Sequence, residues 1–170
     1  MTTADPTITQ TQLDSDTVVT SISFRVKKAI VKNQLQDFES LIRINPLVKS
    51  VVLQSDSNAS FTYRIVDQLK VFCVPLSQTY TATFTMQDNG LSVLTDAGKW
   101  VRTSSEWVIE DDLLDPTKVR LSETSKVKCP WILRGYVISQ IKSSHLDLFG
   151  ALARRLVGLE ESVRKENSAP

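Results

Sequence analysis

The chain has 170 residues, of which 41% are hydrophobic, enough to build one substantial core and about the length of one domain. Twenty basic residues against 19 acidic ones leave a formal net charge of +1, so the average composition favours neither nucleic acid nor an anionic membrane as a partner. The chain has no apolar run of about 18 residues and its N-terminus is polar, which predicts no integral membrane contact and no secretory signal.

The first 54 residues predict a leader, two strands and a helix. Residues 1–15 are rich in Thr, Gln and Asp, and so little apolar surface cannot offset the entropy of ordering, so a flexible leader is expected. Residues 17–28 alternate as a half-buried strand does. Its apolar face carries Val18, Thr20, Ile22, Phe24 and Val26. Residues 33–44 predict a short amphipathic helix with Asn33 as N-cap, and a second strand follows, ending near Gln54.

A series of short strands follows. They are predicted at residues 61–72, 77–87, 91–95, 99–110 and 117–128. The second of these has the clearest period of two, with four threonines on one face. Its inner face carries Tyr80, Ala82, Phe84 and Met86. Asn89-Gly90 after it is typical of a tight hairpin turn, because both residues tolerate positive φ.

A long terminal helix is predicted from about Trp131 to Ser162, with residues 163–170 as a frayed tail. Its apolar stripe recurs at steps of three and four. The stripe consists of Ile138, Ile141, His145, Leu148, Leu152, Leu156 and Leu159, with Phe149 beside it. Strands flanked by helices indicate an α+β fold in which this helix lies across the sheet, so residues 16–162 are expected to be one domain.

The two cysteines bear on the compartment. Cys73 and Cys129 could pair, but two cysteines in a near-neutral chain without a signal are typically separate buried thiols. We therefore expect free thiols and a cytoplasmic location.

Four segments resemble a known superfamily. They are L-I-R-I-N-P-L-V, T-Y-T-A-T-F-T-M, K-W-V-R-T-S-S-E-W-V-I-E and S-S-H-L-D-L-F-G-A-L-A-R-R-L. In this order they resemble the START-like, helix-grip or polyketide cyclase (SRPBCC) superfamily, and most of all its fungal members of unassigned function. The resemblance covers residues 17–160. It implies an antiparallel sheet of six to seven strands wrapped around the terminal helix, with a cavity for one small hydrophobic molecule.

Strand parity brings several polar side chains to the inner face. His145 is the only histidine, and its imidazole could move a proton near neutral pH. Glu123 or Asp67 could orient it or act as a base, and Tyr80 could donate to a developing enolate oxygen. These four are the candidate catalytic residues. Further residues are expected to bind the substrate: Tyr63, Phe84, Thr103, Ser105, Trp107, Ser125, Ile141 and Phe149.

Structural roles compete with these assignments. A lone histidine on a helix stripe is more often a satisfied core residue, Asp67 could face water near a strand end, and a bulge would turn Glu123 outward. Trp100 and Trp131 are expected at an edge or rim. One histidine and two distant cysteines are a poor zinc site, and no phosphate-loop, dinucleotide or nucleophile-elbow motif is present, so neither metal nor cofactor is expected.

The leading hypothesis is a cofactor-free cyclase, dehydratase or isomerase of secondary metabolism that transfers protons on one enclosed hydrophobic substrate. The first alternative is a non-catalytic carrier of a lipid or similar metabolite, which a wholly apolar interior would favour. The second is a protein-interaction adaptor, which a large exposed apolar patch would favour. A monomer or homodimer is expected.

Overall fold

The computed structural model describes residues 6–57, 59–71 and 74–166. Within these ranges the chain forms eight strands and three helices. In chain order they are β1 (Thr7–Gln12), β2 (Thr17–Phe24), α1 (Lys28–Gln36), α2 (Phe38–Ile44), β3 (Val48–Ser57), β4 (Ser60–Val71), β5 (Val74–Gln87), β6 (Gly90–Asp96), β7 (Arg102–Asp111), β8 (Val119–Lys128) and α3 (Trp131–Glu166).

The strands form one antiparallel sheet in the order β1-β2-β8-β7-β6-β5-β4-β3. The sheet is curved, and α3 lies against its concave side. The predicted α+β helix-grip fold is therefore confirmed, with eight strands in place of the six to seven expected. Hairpins join β3 to β8 in sequence, while β2 pairs with β8, so the first and last long strands are neighbours near one edge.

The additional strand is β1, which lies in the segment predicted to be a flexible leader. Six consecutive residue pairs, from Thr7↔Ser23 to Gln12↔Val18, join it to β2. Backbone hydrogen bonds to an existing strand hold it in place, and these depend little on side-chain hydrophobicity. Ile8 adds a contact with the main core. The composition argument failed here because it counted only apolar burial.

The predicted helix of residues 33–44 is two helices. Asn33 lies inside α1, which begins at Lys28 and has no side-chain cap. Asp37 takes a non-helical conformation between the two, and its carboxylate accepts a hydrogen bond from the Ser40 N–H at 3.1 Å, so Asp37 is the N-cap of α2. The short polar side chain thus ends one helix and begins the next.

The terminal helix is longer than predicted. α3 has 36 residues and continues four beyond Ser162. Leu159 at the end of the predicted stripe is 40% exposed, so the buried face ends one turn earlier, at the fully buried Leu156. None of the helices in the described part of the chain is long and apolar enough to be a candidate membrane span.

The core lies where α3 meets the sheet and the two short helices. Phe149, Leu152 and Leu156 on α3 are fully buried, which contributes about 2 kcal/mol of transfer free energy each. The backbone of α3 approaches β1, β2, β8, α1 and α2 most closely. Its axis therefore lies over one half of the sheet, and the inner faces of β5 to β7 lie beside it rather than directly beneath it.

The predicted tight turn joins β5 to β6 in the middle of the sheet. Gln87 pairs with Gly90, so the two-residue loop is Asp88-Asn89, and Gly90 lies in β6 without the positive φ expected of it. A Cβ on Gly90 would lie 1.8 Å from the carbonyl oxygen of Trp107, so only glycine lets β6 approach β7 at this point. Trp107 points inward on β7 and is 3% exposed.

Candidate functional site

A chain of hydrogen-bonded polar side chains crosses from β7 to β8 on the inner face. Ser105 and Ser125 are directly paired across the two strands, and their hydroxyl oxygens are 2.8 Å apart. The Ser125 hydroxyl donates to Oε1 of Glu123 at 3.1 Å. Because a serine has a single hydroxyl proton, Ser105 must be the donor to Ser125.

This series of polar side chains ends at His145 on α3. Nδ1 of His145 lies 3.0 Å from Oε2 of Glu123. Neither atom has a hydrogen-bond partner among the residues that the structure describes, so the two are in contact as a close charge pair. The Glu123 side chain is 3% exposed and that of His145 is 18% exposed. We call Ser105, Ser125, Glu123 and His145 the relay.

The relay favours a protonated imidazole. Burial by itself lowers the pKa of His145, but the charge of the Glu123 carboxylate and its contact with the ring outweigh burial, so the pKa is raised above 6.5. Separating the members of a buried ion pair would leave each charge desolvated and unpaired. The two side chains therefore stay together. Glu123 therefore orients the imidazole and stabilises its charged form.

Two residues absent from the predicted site position the relay. Thr20 on β2 is the cross-strand partner of Glu123 and is fully buried. The Gln10 amide nitrogen on β1 donates to Thr20 Oγ1 and to the carbonyl of Lys142, both at 3.0 Å, which ties α3 to the sheet one turn before His145. The alternation of Thr and Gln in residues 7–12 is the only signal that could have revealed Gln10.

A second polar pair lies on β4 and β5. The Tyr80 hydroxyl donates to Oδ2 of Asp67 at 3.0 Å, and Asp67 is 8% exposed. Oδ1 of this carboxyl has no polar partner in the described part of the chain. Burial raises the pKa of Asp67, which the bond from Tyr80 only partly offsets. Burial, followed by the charge and hydrogen bond of Asp67, also raises the pKa of Tyr80. We call Asp67 and Tyr80 the dyad.

The relay and the dyad are separate. Strand β6 lies between Tyr80 and Ser105, so they are about 10 Å apart across the sheet. Ser105 pairs with Val93 on β6, and Val93 pairs with Phe84 on β5. Phe84 lies further along β5 than Tyr80, so Ser105 and Tyr80 are also separated in the direction of the strands. The structure thus brings two of the four candidate catalytic residues, His145 and Glu123, into contact, and places the other two together at a distance.

The residues predicted to bind substrate fall into two groups. Aromatic rings among them are buried and packed on each other. Trp107 stacks on Phe149 with centroids 5.1 Å apart, and Tyr63 meets Phe84 edge-on at 5.9 Å. Others on the inner face are only half-buried. These are Tyr80, Thr103, Ser105 and Ile141, together with Val93. Solvent therefore reaches part of each of these side chains.

A groove of about 520 Å³ opens elsewhere, at the beginning of α3. It is lined by Gln12, Ser15, Trp131, Arg134, Gly135, Ile138, Ser139 and Lys142, none of which was predicted to bind substrate. Trp131 and Trp100 are 80% and 66% exposed, as expected of rim residues. The Cys129 thiol is free and half-buried, and Cys73 lies outside the described residues.

Solved structures with this fold come from several bacteria. A START superfamily protein from Mycobacterium smegmatis is 15% identical, with a TM-score of 0.64 over 85% of this chain and 99% of that one. The Zhui aromatase/cyclase from Streptomyces sp. R1128 is 15% identical, with a TM-score of 0.68 over 83% and 94%. A STAR-related lipid transfer protein from Xanthomonas axonopodis is 11% identical, with a TM-score of 0.54 over 91% and 96%.

These likenesses confirm the START-like fold, which the sequence segments resembled. At such low identities they carry the fold alone, and the predicted kinship with fungal members stays a prediction. A comparison with curated proteins gives no match. The model of one family matches residues 14–158, nearly the whole folded part, so the chain belongs to the family described as Domain of unknown function (DUF7053).

Proposed function

We propose that the protein encloses one small hydrophobic molecule between α3 and the inner face of β5 to β7, and moves a proton on it with His145. The relay carries the proposal. A buried charged pair on the inner face, with one member on the sheet and the other on the helix, costs desolvation energy that packing alone does not require. Fold likeness to an aromatase/cyclase and to a lipid transfer protein supports the enclosed hydrophobic guest.

The proposed chemistry is a proton shuttle on a β-hydroxy carbonyl compound. Neutral His145 removes the proton on the carbon next to the carbonyl group, which leaves an enolate and an imidazolium that the Glu123 carboxylate stabilises. The imidazolium then returns this proton to the β-hydroxyl group, which leaves as water while the carbon–carbon double bond forms. Return to another carbon would instead give an isomer. Neither route uses a cofactor.

The relay also affects the pH at which His145 can act as a base. Ser125 keeps Oε1 of Glu123 occupied, so Oε2 remains directed to the histidine. Since the pKa of His145 is raised, the fraction of neutral imidazole increases as the pH rises through that pKa, and the rate is expected to rise with it. The dyad is too far away to exchange protons with the relay. It is proposed to hold a polar group of the guest.

The cyclase, dehydratase and isomerase hypotheses all require this shuttle, whereas a carrier requires only the enclosed space. Action in secondary metabolism and in the cytoplasm is part of the proposal, and the aromatase/cyclase likeness supports the former alone. A carrier is favoured instead if the guest leaves unchanged.

The experiment has two steps. Native mass spectrometry of the purified protein first identifies a copurifying guest. The guest is then incubated with protein in D₂O, and deuterium uptake at carbon is measured by mass spectrometry. The wild type is expected to catalyse exchange, His145→Ala to abolish it, and Glu123→Gln to reduce it at least about tenfold.

The matched control is Glu106→Gln, which removes an exposed carboxylate from the outer face of β7 and should leave exchange unchanged. A guest that binds without any deuterium uptake would make the protein a carrier. Equal exchange by wild type and His145→Ala would remove the relay as the catalyst.

A further inference from the structure

The two ends of the sheet have different surfaces. At one end β8 finishes and α3 begins, and Arg102 at the start of β7 pairs there with Lys128. The turn before β7 carries Trp100, and α3 opens with Trp131 and Ile132, which are 66%, 80% and 72% exposed. Leu13 in the adjacent β1–β2 turn is 64% exposed. We call Leu13, Trp100, Trp131 and Ile132 the aromatic rim.

Basic side chains surround the aromatic rim. Six lie in the elements at this end: Lys99, Arg102, Lys126, Lys128, Arg134 and Lys142. Three acidic residues accompany them: Asp14, Asp16 and Asp96. Asp96 pairs with Arg102 and Asp16 with Arg134, and Lys126 lies close enough to Asp14 to act on it. The remaining lysines leave an excess of positive charge that the overall net charge of +1 conceals.

The groove described above lies beside the aromatic rim and carries Arg134 and Lys142 on its wall. The N-terminal end of α3 points toward the same surface and adds its partial positive charge. Exposed tryptophans that alternate with lysines and arginines are typical of segments that lie in the headgroup region of a bilayer, where the ring is half-solvated and the cation meets lipid phosphate.

We propose that this end of the molecule docks on an anionic lipid bilayer. Charge complementarity decides between a bilayer and an uncharged apolar partner. The opposite end supplies the contrast: Leu113 and Leu114 are even more exposed, at 87% and 96%, but lie in a loop with Asp111, Asp112 and Asp115. Asp115 is paired with Arg25 and Lys118, but Asp111 and Asp112 have no ion-pair partner among the described residues, so an anionic surface favours the other end.

Docking does not depend on the proposed proton transfer, because it is measured without any guest. It does bear on it, since a hydrophobic guest partitions into a bilayer and a protein that meets the bilayer meets its guest there.

The test is cosedimentation of the full chain with vesicles of phosphatidylcholine alone or with about 30% phosphatidylserine. The wild type is expected to bind only the anionic vesicles and to be released by about 0.5 M salt. Trp100→Ser with Trp131→Ser should weaken binding about tenfold or more. Lys99→Glu with Lys128→Glu should weaken it on anionic vesicles by a similar factor.

The matched control is Leu113→Ser with Leu114→Ser, which removes comparable exposed apolar surface and should change binding less than about twofold. No binding by the wild type, or equal losses in the two apolar double variants, would overturn docking. A wild-type dimer in sedimentation velocity that Trp131→Ser dissociates, without vesicle binding, would assign the aromatic rim to contact between two copies. All substituted side chains are exposed, so circular dichroism should show an unchanged fold.

Discussion

The relay and the dyad each contain a buried carboxyl group on the concave face of the sheet, and they differ in the side chain that contacts it. Glu123 is 3% exposed and meets a histidine, whereas Asp67 is 8% exposed and meets a phenol. The phenol is neutral and supplies one hydrogen bond, while Oδ1 of Asp67 stays without a partner among the described residues. Oε1 of Glu123 accepts a hydrogen bond from Ser125, and Oε2, although without a hydrogen-bond partner among the described residues, lies 3.0 Å from Nδ1 of His145.

The partner therefore decides which protonation state burial favours. Beside His145, the charged carboxylate is matched by a cation, and the pKa of the histidine is raised despite burial. Beside Tyr80, a single hydrogen bond only partly offsets the loss of hydration, and burial raises the pKa of Asp67. The relay thus favours the charged form of His145, and the dyad favours the neutral form of Asp67.

The largest expected effect comes from breaking the relay at its centre. Glu123→Leu should lower the free energy of unfolding by about 3 kcal/mol at pH 6, because the buried imidazole loses the counter-ion that stabilises its charged form. Urea unfolding measures this. The double variant of Glu123→Leu with His145→Leu should regain most of the loss, since the two charges disappear together. If the double variant is no more stable than Glu123→Leu, the pair is not coupled and the comparison fails.

Charge in the relay can also be tested through the histidine. His145 is the only histidine, so its ring signals in an NMR titration are unambiguous. In the wild type its pKa should lie above 6.5, and in Glu123→Gln below it, because only the effect of burial then remains. Glu106→Gln, on the outer face, should leave the titration unchanged.

The same shift has a consequence for stability. A raised pKa contributes stability that is complete below pH 6.5 and is lost as the pH rises through the pKa of the folded state. In Glu123→Gln the pKa is lowered, so the contribution of His145 should instead diminish as the pH falls below 6.5. Unfolding free energies measured on both sides of this pH should therefore change in opposite directions. Parallel profiles for the two proteins would contradict the assignment.

Sequence patterns predicted the relay residues but not their contacts. Alternation placed Ser105, Ser125 and Glu123 on inner faces, and the helical stripe placed His145 toward the sheet. The register that sets Ser105 opposite Ser125, and the rotation of α3 that sets His145 over Glu123, follow from packing between distant segments, which alternation within one strand does not encode.

Two features of the fold escaped prediction for related reasons. The strand β1 has a single large apolar side chain, Ile8, and owes its place to pairing with β2. The break between α1 and α2 depends on one capping carboxylate, Asp37, in a segment whose apolar period continues past it. Local hydrophobicity predicted most strands, α3 and the buried faces, whereas β1 and the helix break depend on hydrogen bonds.

A smaller effect is expected from the middle of the relay. Ser125→Ala removes the donor to Oε1 of Glu123 and leaves that oxygen unsatisfied, which should cost about 1 to 2 kcal/mol in urea unfolding. Ser105→Ala removes only the outer, half-buried member and should cost less than Ser125→Ala. If both variants lose the same free energy of unfolding, the Ser105 hydroxyl does not act through the Ser125 hydroxyl.

The smallest effect, with a different sign, is expected from the dyad. Because the pKa of Asp67 is raised, its contribution to stability is complete below pH 3.8 and is lost as the pH rises through the pKa of the folded state. Asp67→Asn keeps the shape of the side chain without the charge. At pH 7 it should leave the protein as stable as the wild type or more so, by less than about 1 kcal/mol.

Urea unfolding at pH 7 and near pH 3 measures the difference, which should narrow at the lower pH as the wild-type carboxyl becomes neutral. Asp56→Asn on β3, an exposed carboxylate, serves as the matched control and should change little at either pH. A loss of several kcal/mol in Asp67→Asn at pH 7 would mean that the carboxylate is ionised and firmly bound in the folded state. The dyad would then hold charge as the relay does, and the contrast between histidine and phenol as partners would not explain the site.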